Sequence, residues 1–337
     1  MIKTIKLFWW LVFLIIPLAL IAYFLKSAKN YPAVIDLNYK KDFFGITYSK
    51  KYAENIGLDW QETYLDILDE LNVKQVRIPL YWDQIEKQNG VFDFSDYDFL
   101  IQEGEARGVE FILNTGMRVA RWPECHIPPW INKNDKELLQ DKTLKMLEAS
   151  VSHFKKYKSI KYWQIENEPL LNSFGVCPPA DYSFLKKEIA LVRTLDDRPI
   201  IITATGELSF WRKEAKVADI FGTTMYRVVH NFLTGYIRYP YPTYFYTKKA
   251  KMAGLEKDKV FIIELQAEPW IPEQDIANIY DTTYQKSFNV DQFKANAQFA
   301  INTGFSKAYL WGAEWWYFKH RLGNNSEYWD FAKTLFK

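Results

Sequence analysis

Two glutamates lie at or just beyond the ends of strand-like segments in different parts of the chain. Glu168 comes directly after the run IKYWQIEN (160–167), and Glu264 lies within the run KVFIIEL (259–265). Two carboxyl groups on opposite faces of a bound sugar can cleave a glycosidic bond, because one protonates the leaving oxygen while the other attacks or activates water. The pair therefore indicates glycoside hydrolysis, provided that the fold brings both residues to one place.

Further polar and aromatic side chains near strand ends are expected to surround this pair. We expect Arg77 to hold Glu264 as a carboxylate and Tyr226 to donate a hydrogen bond to it. Asn167 suits a hydrogen bond to the 2-hydroxyl group of a sugar, and Trp311 suits stacking on an apolar sugar face. The residues predicted to bind substrate are Arg77, Asn114, Asn167, Tyr226, Trp311 and Trp82.

Three other glutamates compete for the catalytic roles. Glu166 shares its segment with Glu168, and we expect it to be a paired or a surface carboxylate rather than the acid. Glu268 lies in the loop after Glu264. We favour Glu264 as the catalytic group, because it lies at the end of the strand. Glu314 is expected either to contact substrate or to occupy a capping or surface position.

The sequence lacks the motifs of other reaction classes. No H-x-x-H or H-E-x-x-H spacing occurs among the four histidines, and no G-x-S-x-G elbow is present, so neither a catalytic metal nor an esterase is predicted. The formal net charge is only +2, which provides no field for nucleic acid. We therefore predict no cofactor and no nucleic-acid partner.

Short apolar runs alternate with amphipathic segments from residue 43 onward. Near-continuous apolar runs are typical of parallel strands that are covered by helices, and eight such units indicate a single (β/α)₈ barrel with its site at the carboxyl ends of the strands. A doubly wound open sheet is the alternative, but no glycine-rich phosphate loop follows any run. The predicted strands are 43–48, 74–80, 109–115, 160–167, 199–205, 219–226, 259–265 and 307–313, and the predicted helices include 60–72, 96–108, 142–157, 181–195 and 290–304.

Aromatic residues make up 18% of the chain, which excludes an intrinsically disordered protein. The chain has 13 tryptophans, and seven of them fall at or after predicted strand ends. We expect these seven to lie on the catalytic face, where rings can stack on sugars. They are Trp82, Trp122, Trp130, Trp270, Trp311, Trp315 and Trp316.

Residues 7–25 form an uncharged, almost wholly apolar run that is long enough for a transmembrane helix. We interpret 1–6 as a short tail, 7–25 as a signal anchor, 26–40 as a linker and 41–337 as the barrel domain. A cleaved signal peptide is the alternative. More lysines follow the run than precede it, and the positive-inside rule would therefore place the barrel in the cytoplasm. A hydrophobic N-terminal signal anchor, in contrast, favours a barrel outside the cytoplasm.

The two cysteines lie in neighbouring loops of the predicted barrel. Cys125 follows the third strand and Cys177 follows the fourth, so a disulfide bond between them is geometrically plausible. Two free thiols are the alternative. A disulfide would support an exported domain.

The motifs resemble those of the clan A retaining glycoside hydrolases. WQIENEP (163–169) is similar to the strand-four acid/base motif of that clan, VRIP (76–79) to the strand-two arginine motif of family 5 cellulases and mannanases, and YLWGAEWW (309–316) to the strand-eight motif. The segments 82–101 and 128–130 look more like family 42 and family 35 β-galactosidases. The histidines that are usual in family 5 are replaced by Asn114 or Thr115 and by Thr224, which implies a divergent member.

The resemblance implies that Glu168 is the acid/base and Glu264 the nucleophile. It predicts a retaining β-glycoside hydrolase that acts on a β-linked oligo- or polysaccharide. The apolar run at 7–25 predicts in addition that the enzyme is anchored in a membrane, and we expect its barrel to be extracytoplasmic and monomeric. Two alternatives stay open: a non-catalytic carbohydrate-binding barrel at the cell surface, and a transglycosylase that remodels envelope glycan. Glucan, mannan and galactoside all remain compatible with the motifs.

Overall fold

The computed structural model describes residues 39, 41–231, 233–271 and 285–336. The predicted tail and anchor lie outside these residues, as does the linker apart from Tyr39. Among the helices that are described, none combines the length and the apolar character needed to cross a membrane.

Eight parallel strands close into a barrel in the order β1-β10-β9-β6-β5-β4-β3-β2. All eight predicted strands are confirmed to within one or two residues at each end, and closure of the sheet excludes the doubly wound alternative. The strands are β1 (Phe44–Thr47), β2 (Gln75–Pro79), β3 (Glu110–Thr115), β4 (Ile160–Ile165), β5 (Ile200–Ala204), β6 (Ile220–Met225), β7 (Val228–Asn231), β8 (Gly235–Arg238), β9 (Val260–Gln266) and β10 (Lys307–Trp311).

Helices surround the barrel, and several of them begin at a side-chain cap. The carboxylates of Asp59, Asp135 and Asp181 accept backbone N–H groups from the first turns of α2, α5 and α6, and each such cap stabilises a helix by about 1 kcal/mol. The helices are α1 (Lys50–Asn55), α2 (Trp60–Leu71), α3 (Trp82–Ile85), α4 (Ser95–Ala106), α5 (Lys136–Phe154), α6 (Tyr182–Leu195), α7 (Arg212–Ala215), α8 (Thr243–Met252), α9 (Val290–Thr303), α10 (Ala313–Arg321) and α11 (Glu327–Leu335), with a 3₁₀ turn at Lys257–Lys259.

A compact apolar cluster fills the interior of the barrel. It joins Ile112, Ile201, Phe261, Ile263 and Tyr309, which come from β3, β5, β9 and β10, with Ile220 of β6. Side chains from so many strands meet only inside a closed barrel. The interior is therefore packed rather than open, and a ligand can enter only beyond this cluster.

The β7–β8 pair forms an antiparallel hairpin outside the barrel, directly after β6. The sequence predicts only a long loop over 227–240, because each strand is four residues long and no two-residue turn motif joins them. Gln266 fixes the hairpin to the end of β9: its side-chain oxygen accepts the N–H groups of Arg227 and Val228, and its nitrogen donates to the Val228 carbonyl at 2.8 Å. The hairpin thus stands beside the carboxyl end of the barrel.

Candidate active site

Glu168 and Glu264 line the same cavity, which lies at the carboxyl end of the barrel and has a volume of about 470 Å³. This volume is within the range of small-molecule sites in proteins. Both carboxyl groups are nearly buried, with 7% of Glu168 and 5% of Glu264 exposed. The fold therefore brings together the two glutamates that the sequence singled out.

A β-bulge in β9 turns Glu264 toward the cavity. The pairing of β9 with both of its neighbours shifts by one residue between Ile262 and Leu265. Phe261 and Ile263 face the interior of the barrel, whereas Leu265 packs in the outer core with Ile262. Because of the extra residue, both Ile263 and Glu264 point to the inner side of the barrel. Bulges beside active sites commonly redirect a side chain in this way.

Two donors hold the carboxylate of Glu264. Arg77 donates Nη1 to Oε1 at 2.9 Å, and the Tyr226 hydroxyl donates to Oε2 at 3.0 Å. Arg77 is fully buried and also donates Nε to Gln164 at 2.7 Å, which fixes the guanidinium plane. Burial, followed by the charge of Glu264, raises the pKa of Tyr226 well above its usual value, so the phenol remains a donor. The carboxylate is held in a single orientation that suits a nucleophile.

Glu168 lies in a contrasting environment. Its backbone N–H donates to Thr203 Oγ1 at 2.7 Å. Among the described residues, its side chain accepts a single hydrogen bond, from the Thr224 hydroxyl at 3.0 Å. Burial, followed by the negative charges of Glu264 and Glu124, raises the pKa of Glu168 to about 8. The group is therefore protonated near neutral pH, as a general acid must be.

Asn167 connects this pair to a third carboxyl group, which the sequence reasoning missed. Its Oδ1 accepts from Arg77 Nη2 at 3.0 Å, and its Nδ2 donates to Glu124 Oε2 at 3.3 Å. Burial raises the pKa of Glu124 to about 7, a shift that the charge of Arg118 opposes and that of Glu264 reinforces. Glu124 also lines the cavity. The only signal for it in the sequence is its position beside a cysteine after the third strand.

Three residues predicted to bind substrate, Asn114, Trp82 and Arg77, do not line the cavity. Asn114 is fully buried and donates to the Glu166 carbonyl at 3.2 Å, so it packs beneath the site. Trp82 is fully buried in α3 and donates to Glu86 Oε2 at 2.6 Å. The structure does not bring these two side chains into the cavity, because a place near a strand end does not determine which way a side chain points. Arg77 also lies beneath the cavity and acts through Glu264 and Asn167.

Trp311 lines the cavity, but an arginine covers one face of its ring. The guanidinium of Arg121 lies 4.1 Å from the Trp311 ring and 3.6 Å from the Tyr52 ring, so it is sandwiched between them. Arg121 also binds Glu268, with Nη2 donating to Oε2 at 3.2 Å. The covered face of Trp311 cannot stack on a sugar.

The competing glutamates are all held by other contacts, including Glu268, which lines the cavity itself. Glu268 pairs with Arg121, and Glu314 lies 3.7 Å from the same guanidinium, where burial raises its pKa to about 7. Glu166 accepts the backbone N–H groups of Met117 at 2.8 Å and of Arg118 at 2.6 Å, and thereby fixes the loop after β3. These contacts leave Glu168 and Glu264 as the pair suited to chemistry.

Four aromatic rings form an arc along one wall of the cavity. Trp122 contacts Phe174, Phe174 contacts Trp270, and Trp270 contacts Tyr226, with ring centroids 5.8, 6.0 and 5.4 Å apart. Such a wall suits the apolar face of a sugar or an apolar leaving group.

Of the seven strand-end tryptophans that are expected on the catalytic face, three line the cavity and four do not. Trp122, Trp270 and Trp311 line the cavity. Trp315 and Trp316 are buried on α10, where their rings pack against Phe288 and Phe293 respectively. The remaining two pack away from the cavity as well: Trp82 in the core, and Trp130 with its indole N–H donated to the Glu86 carbonyl.

The cysteines form a disulfide bond, Cys125–Cys177, with an S–S distance of 2.04 Å. It joins the loop after β3 to the loop after β4, which carry Glu124 and Glu168. Among the described residues, no group of three or more histidine, cysteine or acidic side chains is arranged to hold a metal ion.

Comparison with known proteins finds similarity in structure alone. No family model matches the chain, and no curated protein matches it. A GH5_18 protein from Bifidobacterium longum is 12% identical, with a TM-score of 0.54, over 81% of this chain and 70% of that one. Xylanase 10B from Thermotoga petrophila is 16% identical, with a TM-score of 0.51, over 84% and 86%.

The exo-β-1,4-mannosidase Op5Man5 from Opitutaceae bacterium strain TAV5 is 14% identical, with a TM-score of 0.50 over 83% of this chain. This chain spans about half of that protein, 54% of its length. At such low identities the comparisons establish the fold alone, a (β/α)₈ barrel that this chain shares with these proteins.

Proposed function

We propose that the protein is a retaining β-glycoside hydrolase, with Glu168 as the acid/base and Glu264 as the nucleophile. The observation that carries the proposal is the contrast between the two carboxyl groups in one cavity. Arg77 and Tyr226 hold Glu264 as an acceptor, whereas burial keeps Glu168 protonated at neutral pH. An acceptor held by two donors, beside a carboxyl group that burial keeps protonated, is the arrangement that a nucleophile and an acid require.

Cleavage would proceed by double displacement. Glu168 donates its proton to the glycosidic oxygen as that bond breaks, while an oxygen of Glu264 bonds to the anomeric carbon and forms a glycosyl-enzyme. Glu168, now a carboxylate, accepts a proton from water, whose oxygen attacks the same carbon and releases Glu264. Two inversions give net retention, and the enzyme returns to its starting protonation state. Arg77 and Tyr226 remain hydrogen-bonded to the carboxylate that leaves.

We propose that the enzyme acts as a monomer on a β-linked oligo- or polysaccharide. The structural neighbours include proteins described as an exo-β-1,4-mannosidase and as a xylanase, which supports a carbohydrate substrate. The arc of Trp122, Phe174 and Trp270 offers flat apolar surfaces for sugar rings.

We also propose that residues 7–25 hold the barrel at the outer face of a membrane. The apolar run in the sequence and the disulfide bond support this location, because disulfides persist in oxidising compartments. Digestion of intact cells by an external protease should remove the barrel, and complete protection of the barrel would contradict the proposal.

A covalent inhibitor tests the catalytic assignment directly. The protein is incubated with activated 2-deoxy-2-fluoro β-glycosides of glucose, mannose, galactose and xylose, and peptide mass spectrometry locates the attached sugar. We expect one sugar per chain, bound to Glu264, and none in Glu264→Gln. Labelling of another residue would overturn the assignment, and a lack of both labelling and turnover across the matching 4-nitrophenyl β-glycosides would overturn the function.

A further inference from the structure

Glu124 is a third carboxyl group in the cavity, and double displacement does not require it. The residue lies in the loop between β3 and α5, and only 5% of it is exposed. It lines the cavity together with Glu168 and Glu264.

The surrounding loops hold Glu124 in a backbone conformation that glycine favours. Its φ is +72°, a left-handed value that costs a non-glycine residue free energy. The N–H of Glu124 donates to the Arg121 carbonyl at 2.7 Å, its own carbonyl accepts from Val119 at 2.9 Å, and Cys125 ties the next residue to the loop after β4. From that loop Gly175 packs so closely that an added Cβ would lie 2.8 Å from the Glu124 Cβ. Four independent constraints therefore keep this side chain in the cavity despite the strained backbone.

One oxygen of Glu124 is left for a ligand. Oε2 accepts from Asn167 Nδ2 at 3.3 Å and lies 3.9 Å from Arg118 Nε. Within the part of the chain that the structure describes, no side chain or backbone group donates to Oε1. A nearly buried carboxyl group with a vacant acceptor in a cavity is suited to receive a hydrogen bond from whatever binds there.

Asn167 places this acceptor beside the reacting carbon. One guanidinium, that of Arg77, bonds to Glu264 through Nη1 at 2.9 Å and to Asn167 through Nη2 at 3.0 Å. Glu264 attacks the anomeric carbon, so the Asn167 side chain lies next to the substituent on the neighbouring carbon 2. Arg77 and Gln164 already occupy Asn167 Oδ1, which leaves Asn167 able to donate to that substituent but not to accept from it.

We propose that Glu124 is a specificity-determining residue that accepts the hydrogen bond of the 2-hydroxyl group of the sugar at the cleaved bond, while Asn167 donates to the same hydroxyl. A hydroxyl group both donates and accepts, so it satisfies both side chains. A 2-deoxy sugar leaves both unpaired, and a 2-acetamido group offers no acceptor at the position of its nitrogen and adds bulk there. The enzyme thus selects substrates with a free 2-hydroxyl group. This inference rests on the proposed glycoside hydrolase function.

The test compares one sugar with and without its 2-hydroxyl group. The 4-nitrophenyl β-glycoside that the wild type hydrolyses fastest is measured beside its 2-deoxy and 2-acetamido analogues, for the wild type and for Glu124→Gln. A glutamine must use its oxygen for Asn167, so it presents an N–H group where the hydroxyl needs an acceptor. For the wild type we expect kcat/KM to fall at least about 100-fold on each analogue.

Glu124→Gln should lower kcat/KM about 100-fold on the parent glycoside but less than about threefold on the 2-deoxy analogue. The 2-deoxy sugar has no 2-hydroxyl group to bond to Glu124, so the substitution removes no interaction there. Glu207→Gln is the matched control, since Glu207 also lines the cavity but accepts from Tyr246 at 2.6 Å. Any loss in the control should be equal for the two substrates. Thermal unfolding establishes that both variants are folded.

Equal losses by Glu124→Gln on both substrates would assign Glu124 a structural role and overturn the inference. Efficient hydrolysis of the 2-deoxy or the 2-acetamido glycoside by the wild type would overturn it as well, even if no Glu124 variant folds. These outcomes differ from failure of the proposed function, in which the wild type hydrolyses no glycoside and no inhibitor labels Glu264.

Discussion

Arg77 and Glu264 form an ion pair across the barrel, from β2 to β9, with 2.9 Å between Nη1 and Oε1. Arg77 is fully buried and Glu264 nearly so. The Glu264 carboxylate is therefore hydrogen-bonded to Arg77 and to the Tyr226 hydroxyl in place of water. Removal of one member of a buried pair leaves the other charge without compensation, which is costly. This pair therefore couples the proposed nucleophile, Glu264, to the stability of the fold.

Replacement of Arg77 by methionine should lower the free energy of unfolding by about 3–5 kcal/mol, because Glu264 would be buried without its cation. Urea denaturation measures the change. Arg107→Met is the control: Arg107 pairs with Asp69 and Glu103 at the surface, where a salt bridge contributes about 1 kcal/mol or less. Equal destabilisation by the two substitutions would contradict the importance of the buried pair.

Alanine variants of the two proposed catalytic residues should respond differently to azide. Both Glu168→Ala and Glu264→Ala should lose at least about 100-fold in turnover while they retain their fold. In Glu168→Ala azide attacks the glycosyl-enzyme, so the product keeps the β configuration. In Glu264→Ala azide takes the place of the missing carboxylate and gives the α product. Proton NMR of the glycosyl azides reads the configuration, and the opposite pattern would exchange the two roles.

The pH dependence should follow the protonation of Glu168. Its pKa is raised to about 8, and the acid must be protonated to donate. The wild-type kcat/KM should therefore fall as the pH rises through about 8, because the acid is then deprotonated. Glu124→Gln removes a negative charge that raises this pKa, so the alkaline limb should move to lower pH. If the alkaline limb of kcat/KM lies at the same pH in the wild type and in Glu124→Gln, the charge of Glu124 does not affect Glu168.

The sequence predicts the barrel better than it predicts the direction of individual side chains. Strand runs and helix caps are local patterns, and all eight strands form where they were expected. The inward direction of Glu264 depends on a bulge in β9, which breaks the two-residue alternation of a strand. Asn114 and Trp82 were assigned to the site from their positions near strand ends, yet both side chains are fully buried away from it. Glu124 comes from a loop whose backbone is set by tertiary contacts, so no periodic pattern marks it.

Removal of the disulfide bond should affect both stability and catalysis. Cys125 and Cys177 are separated by 52 residues, and loss of such a cross-link typically costs about 2–5 kcal/mol. The bridge also flanks Glu124 and the loop that packs on it. The double variant Cys125→Ala/Cys177→Ala should unfold at lower urea concentration and hydrolyse the parent glycoside more slowly, with little change on its 2-deoxy analogue. An equal loss on both glycosides would mean that the bridge supports the fold without positioning Glu124.

Gly116 and Gly57 provide a matched test of how Glu166 fixes the loop after β3. Both glycines have positive φ, +143° and +80°, so alanine should cost about 1 kcal/mol or more at either position through the backbone alone. An added Cβ at Gly116 would lie 2.5 Å from Glu166 Oε1, whereas nothing lies within 4 Å at Gly57.

Gly116→Ala should therefore displace the Glu166 carboxylate from the N–H groups of Met117 and Arg118 that it accepts. We expect a further loss of about 1–3 kcal/mol in unfolding free energy relative to Gly57→Ala, as in other overpacked sites. Since the same loop carries Arg121 and Glu124 into the cavity, kcat/KM should fall in Gly116→Ala and stay near the wild-type value in Gly57→Ala. Equal activity in the two variants would show that the loop keeps its catalytic geometry without the Glu166 contacts.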